Sequence, residues 1–189
     1  MVSSVIFSPT KAFEEAFSNV NISGAIITVV LSALFLGLAA YWVSANLTAG
    51  VYFFISTIVQ FLVLCALVWF FEFIHVRKRK MMVGTAFSKI VSVVGKIWLI
   101  NLIGSIIFAL MAFLVTHLNY FLLEIIGVIA LVLTIVLVVA WIVASFRMLK
   151  VVLGVARGKL LINWIILNIL NALISSFIVA LIAGILFKL

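Results

Sequence analysis

Five long apolar runs occupy most of this chain and restrict its possible folds more than any other feature. They cover roughly residues 22–44, 51–74, 90–115, 122–146 and 161–187. A helix needs roughly 20 apolar residues to cross the hydrocarbon core of a bilayer, which is about 30 Å thick. The runs are continuous rather than alternating, which favours helices over barrel strands. We therefore predict an all-α fold, a polytopic transmembrane helical bundle of five spans.

The overall composition argues against a water-soluble domain. The chain has 189 residues, of which 69% are hydrophobic and 8% are charged. A typical soluble domain is about 45–50% apolar and about 25% charged. We predict a single transmembrane domain over residues 22–189, preceded by a short cytoplasmic amphipathic segment over residues 1–21.

The first 21 residues carry the pattern of a short amphipathic helix. Pro9 suits the first helical position, where its missing N–H needs no partner, and Ser8 before it is a typical capping residue. Phe13, Phe17 and Val20 recur at i, i+4 and i+7, so they share one face. This face predicts a helix that either lies on the membrane surface or packs against the spans. The sequence leaves these two alternatives open.

Basic residues are concentrated in every second connection between the runs. Ten of the twelve belong to the N-terminal segment and to the connections after runs two and four: Lys11, Arg77, Lys78, Arg79, Lys80, Lys89, Arg147, Lys150, Arg157 and Lys159. Lys96 lies within run three, and Lys188 lies at the C-terminus. The positive-inside rule then predicts a cytoplasmic N-terminus and a C-terminus that is outside or lumenal. The host membrane would be the cell membrane in a prokaryote and an endomembrane in a eukaryote.

The same charges predict the nature of the partners. Basic residues beside transmembrane spans favour contact with anionic lipid headgroups of the bilayer. Nucleic acid is not expected, because the charge-driven footprint lacks a soluble platform bearing aromatic side chains. Membrane-protein partners and a homo-oligomer remain open.

Ionisable side chains inside a membrane are costly, so each is a functional candidate. Glu72, near the end of run two, is expected to pair with the basic cluster that follows it. Lys96 is expected to extend its amine toward the cytoplasmic surface. Glu124, at the outer start of run four, is expected to be a wet interfacial carboxylate. A proton-handling pair with His117 is the alternative.

Small and polar residues repeat at a spacing of three to four positions within three runs. Run one has Ala33, Gly37 and Ala40. Run three has Asn101, Ser105 and Ala109. Run five has Asn168, Ala172, Ser176, Ala180 and Gly184. Such stripes let helices approach closely, so we predict that runs one, three and five form a contact core.

No catalytic constellation is visible, and we expect no enzyme activity, cofactor or metal. His75 and His117 are predicted on opposite sides of the membrane, so they cannot share a metal ion. The chain contains no aspartate to support a nucleophile and a histidine. Cys65 is the only cysteine and falls inside a span, where apolar packing is its ordinary role.

Three stretches carry a resemblance to a known family. The first is a proline-led amphipathic entry, made of Phe7-Ser8-Pro9 with Phe13 and Phe17. The second enters the third span and contains Gly84, Phe87, Val94 and Gly95. The third comprises the fourth span and the basic loop after it, from Trp141 to Lys159. Together with five spans and a cytoplasmic N-terminus, they resemble the Yip family, the Ypt/Rab-interacting membrane proteins.

The resemblance implies a five-span fold and a role in membrane organisation or vesicle-mediated transport, with no catalytic residues to carry over. Eukaryotic members usually have a longer cytoplasmic N-terminal region and an Asp-Leu-Tyr-Gly-Pro type motif. We expect a minimal or prokaryotic type here, because this sequence contains neither. Binding to Rab-type GTPases stays open.

Two functional hypotheses follow. The first is a non-enzymatic membrane scaffold or interaction protein that engages the cytoplasmic leaflet. The second is a small-solute or ion transporter, which predicts a polar cavity lined by Gln60, Asn101, Asn168 or Asn171. A cavity at mid-membrane depth would favour transport, and a dry seam of small residues would favour scaffolding.

Overall fold

The computed structural model describes residues 8–78, 86–117, 120–154 and 157–187. Over these residues the chain forms α-helices and no strand, so the predicted all-α class is confirmed. The helices are α1 (Pro9–Ser18), α2 (Ile22–Ser44), α3 (Leu47–Lys78), α4 (Phe87–His117), α5 (Tyr120–Leu153) and α6 (Arg157–Phe187).

Helices α2 to α6 are each long and apolar enough to cross a membrane. Helix α2 has the predicted limits, whereas the other four extend a few residues beyond the predicted ends. The largest difference is in α5, which continues to Leu153, so that Arg147 and Lys150 lie on the helix rather than in a loop. Many large apolar side chains are exposed on the outer faces of these helices, where lipid rather than water would cover them. The chain is therefore a multi-pass integral membrane protein.

Local hydrogen bonds explain the tight connection between α2 and α3. Asn21 caps the start of α2, where its side-chain Oδ1 accepts from the N–H of Gly24 at 2.8 Å. Ala45 ends α2 in the left-handed conformation, with φ at 50°. Asn46 follows, and its Oδ1 accepts from the N–H of Thr48 at 2.8 Å in the first turn of α3. Ala45 and Asn46 thus set the connection between α2 and α3, whereas Asn21 caps the opposite end of α2.

The most extensive helix contact joins α2 and α4. Gly95 of α4 packs so closely on α2 that a Cβ at this position would lie 2.8 Å from the Cα of Ala25. Further along the same seam, Ala39 of α2 packs with Ala109 and Ala112 of α4. Of the predicted stripes on runs one and three, Ala109 lies in this seam, whereas Gly95, Ala25 and Ala39 were not predicted. Small residues there let the backbones approach.

Helices α2 and α3 approach each other at a pair of glycines. A Cβ on Gly37 would lie 2.9 Å from the carbonyl oxygen of Gly50, and a Cβ on Gly50 would lie 2.9 Å from that of Gly37. Backbone on both sides closes this space, so neither position has room for a side chain. Gly37 of the run-one stripe therefore contacts α3, whereas α2 contacts α4 through Ala25 and Ala39.

The predicted contact face of run five is wrong. Ala172, Ser176 and Ala180 are exposed on α6, and a Cβ on Gly184 would meet nothing within 4 Å. The buried positions are instead Leu160, Leu167, Ser175, Val179 and Ala183. Among the described residues α6 packs on α3 and α5, not on α2 and α4 as the predicted core required.

Helix α5 lies at the edge of the bundle. None of the residues in its most apolar 18-residue window is buried, whereas about a third of the corresponding window is buried in α2 and α4. Among the described side chains of α5, burial is confined to its last part, at Ala144, Ser145, Met148, Leu149, Val152 and Leu153. Helix α5 is thus held mainly at one end.

Candidate functional site

Helix α1 packs against the ends of α4 and α5. Ala12, Phe13 and Ala16 are buried, and Phe13 is completely inaccessible within the core cluster that contains Val93, Val94 and Met148. This packing settles the alternative that the sequence left open: the apolar face of α1 is covered by the spans.

The details of the predicted α1 pattern are partly confirmed. Pro9 stands at the first helical position, but the side chain of Ser8 makes no capping hydrogen bond. Phe17 is half-buried. The Nζ of Lys89 lies 5.2 Å from the centroid of its ring, which is a cation–π contact between α1 and α4. Val20 lies beyond the end of the helix and is exposed.

One end of the bundle collects the basic side chains, and we call it the basic end. It comprises α1, the C-terminal ends of α3 and α5 and the N-terminal ends of α4 and α6. Lys11, Arg147, Lys150 and Lys159 are exposed there, and Lys89 is half-buried. Arg79 and Lys80 of the predicted cluster lie outside the described residues. Charges from separate elements therefore converge on one surface.

A histidine joins two spans near the basic end. The Nδ1 of His75 lies 2.7 Å from the carbonyl oxygen of Phe71, and its Nε2 lies 3.2 Å from the Nδ2 of Asn163 on α6. A neutral ring with its proton on Nδ1 satisfies both contacts, because it donates to the carbonyl and accepts from the amide. His117 lies at the opposite end of the bundle, stacked on Phe113. The two histidines are thus separated as predicted.

The ionisable residues inside the spans differ in how far they are buried. Glu72 is buried, with 3% of its surface exposed. Its predicted partners in the basic cluster have side chains outside the described part of the chain. Lys96 is half-buried. Glu124 lies on α5, but its side chain also falls outside that part, so the interfacial carboxylate stays a prediction and the pair with His117 stays its alternative.

A cavity of about 340 Å³ lies halfway along the spans, and we call it the mid-span cavity. Helices α2 to α5 all contribute to its wall, and its polar members are Thr57, Gln60, Trp98, Asn101, Ser105, Thr134 and Trp141. These positions are close to the middle of their helices, which places the cavity near mid-membrane. No charged residue lines it among the described residues.

Most hydroxyl groups of the mid-span cavity are already used by their own helices. Thr57 donates to the carbonyl of Phe53, and Thr134 donates to that of Ala130, both at 2.8 Å. The indole nitrogens of Trp98 and Trp141, in contrast, are buried and make no hydrogen bond within the described structure. A buried donor without an acceptor is costly. The amides and indoles therefore dominate the hydrogen-bonding capacity of the wall.

Two of the four predicted path residues line the mid-span cavity. Gln60 and Asn101 do so. Asn168 instead donates its Nδ2 to the carbonyl of Trp164 at 2.7 Å, and Asn171 accepts from the hydroxyl of Ser175 at 3.3 Å. Both hydrogen bonds stay within α6, so these two amides serve their own helix.

The tryptophans of the cavity wall were missed by sequence reasoning. Trp98 and Trp141 lie within apolar runs, where an aromatic side chain is ordinary, and no spacing rule joins residues of α4 and α5. The only signal was that each indole carries one donor that needs a partner when it is buried. Nothing in the sequence indicated that both rings border one space.

The comparisons with known proteins give no relative. No family model, curated protein or solved structure matches the chain. The resemblance to the Yip family therefore stays a prediction. The fold itself defines the class of protein, a multi-pass α-helical membrane protein with a basic end and a polar cavity halfway along the spans.

Proposed function

We propose that this chain is a non-enzymatic membrane scaffold whose basic end faces the cytoplasm and engages anionic lipids. In this role it organises the adjacent leaflet and presents a surface to other membrane proteins or to further copies of itself. Membrane organisation or vesicle traffic is the process that the resemblance to the Yip family suggests.

One observation carries the proposal: α1 is packed onto the same end of the bundle that carries the exposed basic side chains. Lys11 on α1, Arg147 and Lys150 on α5 and Lys159 on α6 are all exposed there. Because Phe13 is buried in the core, α1 is fixed relative to the spans. A fixed surface with several positive charges attracts anionic headgroups more strongly than scattered charges would.

We expect that replacing Arg77, Lys78, Arg79 and Lys80 together with glutamine will weaken the enrichment of anionic lipid around the protein. Each basic side chain near an anionic surface contributes about 1 kcal/mol, so the four together contribute about 4 kcal/mol and the enrichment should fall by on the order of a hundredfold or more. The chain would be reconstituted in vesicles of phosphatidylcholine and phosphatidylglycerol and extracted in polymer-bounded discs. Mass spectrometry would then give the lipid ratio in the discs relative to the vesicles.

The matched control exchanges lysine and arginine at the same four positions, which keeps the charge. It should retain the enrichment of the unchanged chain. Equal enrichment for the glutamine variant and the unchanged chain would contradict the proposed lipid engagement.

The mid-span cavity favours a second candidate, the passage of a small solute. Gln60 and Asn101 offer donors and acceptors there, and the described part of the wall carries no charge. An ion without a compensating charge is unfavourable in such surroundings, so an uncharged solute with hydrogen-bonding groups fits best. This candidate ranks second because Asn168 and Asn171 hydrogen-bond within α6 rather than extending the polar wall.

If the second candidate holds, Asn101→Leu should reduce solute flux about tenfold or more, because it removes an amide that would hydrogen-bond to the solute inside the mid-span cavity. Glycerol-induced swelling of proteoliposomes, followed by light scattering, measures this flux. Asn171→Leu is the matched control, since that amide lies outside the wall. Glycerol permeability no higher than in protein-free vesicles would eliminate glycerol conduction.

A further inference from the structure

A groove between α5 and α6 combines positive charge with apolar walls at the basic end. Its volume is about 490 Å³. We call it the α5–α6 groove, and its walls include Ile142, Phe146, Arg147, Lys150, Leu161 and Trp164. It shares no lining residue with the mid-span cavity.

The packing of α5 explains why the groove exists. The lipid-facing length of α5 is exposed and only its basic end is buried, so α5 and α6 touch over a limited area. They are joined by a hydrogen bond in which the Nε1–H of Trp164 donates to the hydroxyl of Ser145 at 2.8 Å. That bond fixes the indole as a wall of the groove.

The charge in the groove comes from one face of α5. Arg147 and Lys150 are three residues apart, so they are neighbours on the helix surface, and both are exposed. No acidic residue lines the groove among the described residues. An anionic group placed between these two side chains would therefore meet two positive charges.

The remaining walls are apolar and open toward the lipid side. Ile142 is 41% exposed and Leu161 is 50% exposed. Trp164 stands two turns into α6, near the interfacial level at which tryptophans are enriched in membrane proteins. Such surroundings suit a hydrocarbon chain on one side and a polar headgroup on the other.

We propose that the α5–α6 groove is a binding site for one anionic phospholipid. Its phosphate lies between Arg147 and Lys150, and an acyl chain runs along Ile142 and Leu161 beside the indole of Trp164. Basic pockets between transmembrane helices are known to hold anionic headgroups in this way. A free phosphate would use the two cations but leave the apolar wall uncovered, so the geometry favours the lipid.

This inference rests on the proposed function, because it requires the basic end to face an anionic leaflet. It goes beyond that function in assigning a single site with defined contacts, as distinct from general attraction to the four basic residues Arg77, Lys78, Arg79 and Lys80. The groove can therefore fail while the proposed function stands.

Quenching of Trp164 by brominated lipids tests the site. The full chain is reconstituted in vesicles of unlabelled phosphatidylcholine. Increasing amounts of either brominated phosphatidylglycerol or brominated phosphatidylcholine are added to these vesicles. The difference in fluorescence between the unchanged chain and Trp164→Phe isolates the signal of this indole. Half-maximal quenching should need about tenfold less brominated phosphatidylglycerol than brominated phosphatidylcholine, from the combined attraction of two basic side chains.

Charge variants identify the residues responsible. Arg147→Gln with Lys150→Gln should abolish the preference for phosphatidylglycerol. Lys11→Gln with Lys159→Gln removes the same charge from the basic end outside the groove and should retain the preference. Arg147→Lys with Lys150→Arg keeps the charge and should also retain it, which separates loss of binding from loss of folding.

Equal quenching of Trp164 by the two brominated lipids, or a preference that survives Arg147→Gln with Lys150→Gln, would overturn the inference. Displacement of the brominated lipid by soluble glycerol phosphate would instead assign the groove to a free phosphate, and this too would overturn it. If disc enrichment still depends on Arg77, Lys78, Arg79 and Lys80 in either case, the proposed function stands while the groove fails. If no anionic enrichment is seen at all, both fail.

Discussion

Replacing Phe13 with alanine is expected to release α1 from the bundle. Phe13 is completely buried between α1 and the ends of α4 and α5. A buried Phe→Ala change costs about 3–5 kcal/mol, and a helix of ten residues is not stable alone in water. Hydrogen–deuterium exchange should show the amides of residues 12–18 exchanging on the order of a hundredfold faster or more.

The control for this change is Glu14→Ala on the same helix. Glu14 is exposed, and alanine is a better helix former than glutamate. Exchange in residues 12–18 should therefore be unchanged or slower in this control. If Phe13→Ala left the exchange of these amides as slow as in the unchanged chain, the packed position of α1 would be contradicted.

The second large effect is expected at Gly95, where α2 and α4 are closest. In Gly95→Ala the new methyl group would lie 2.8 Å from the Cα of Ala25, and backbone cannot yield as a flexible side chain can. Overpacking of this kind typically costs about 1–3 kcal/mol. Thermal unfolding in detergent micelles, followed by near-ultraviolet circular dichroism, should show a clear fall in Tm.

Gly127→Ala is the matched control, because a Cβ at this position of α5 would meet nothing within 4 Å. Alanine is favoured over glycine inside a helix by about 0.5–1 kcal/mol, so this variant should be as stable as the unchanged chain or slightly more so. Equal Tm values for Gly95→Ala and Gly127→Ala would contradict the close packing of α2 on α4 at Gly95.

The predicted spans and the actual helices differ mainly at their ends. The predicted fourth run stopped at residue 146 because basic residues begin there, yet α5 continues to Leu153. Burial of Met148, Leu149, Val152 and Leu153 against neighbours, including α1 and α4, explains the added turns. Hydropathy cannot report a helix end that is stabilised by packing outside the hydrocarbon core.

The sequence also placed only some of the candidate site residues correctly. Gln60 and Asn101 were named from the sequence because polar amides stand out in apolar runs, and both line the mid-span cavity. Asn168 and Asn171 have the same appearance in sequence but hydrogen-bond within α6. Whether an amide faces a cavity or its own helix depends on neighbours that are distant in sequence, so no local pattern distinguishes the two pairs.

The sequence by itself determined the five spans, the amphipathic helix at the start and the collection of basic residues at one end. Each of these depends on the transfer of individual residues between water and lipid, which needs no knowledge of a partner helix. Only the tertiary structure decided that α1 is packed on the bundle, which face of α6 is buried and where the mid-span cavity and the α5–α6 groove lie. Lipid is as apolar as the protein interior, so hydrophobicity cannot select the inward face of a span, and close packing between helices selects it instead.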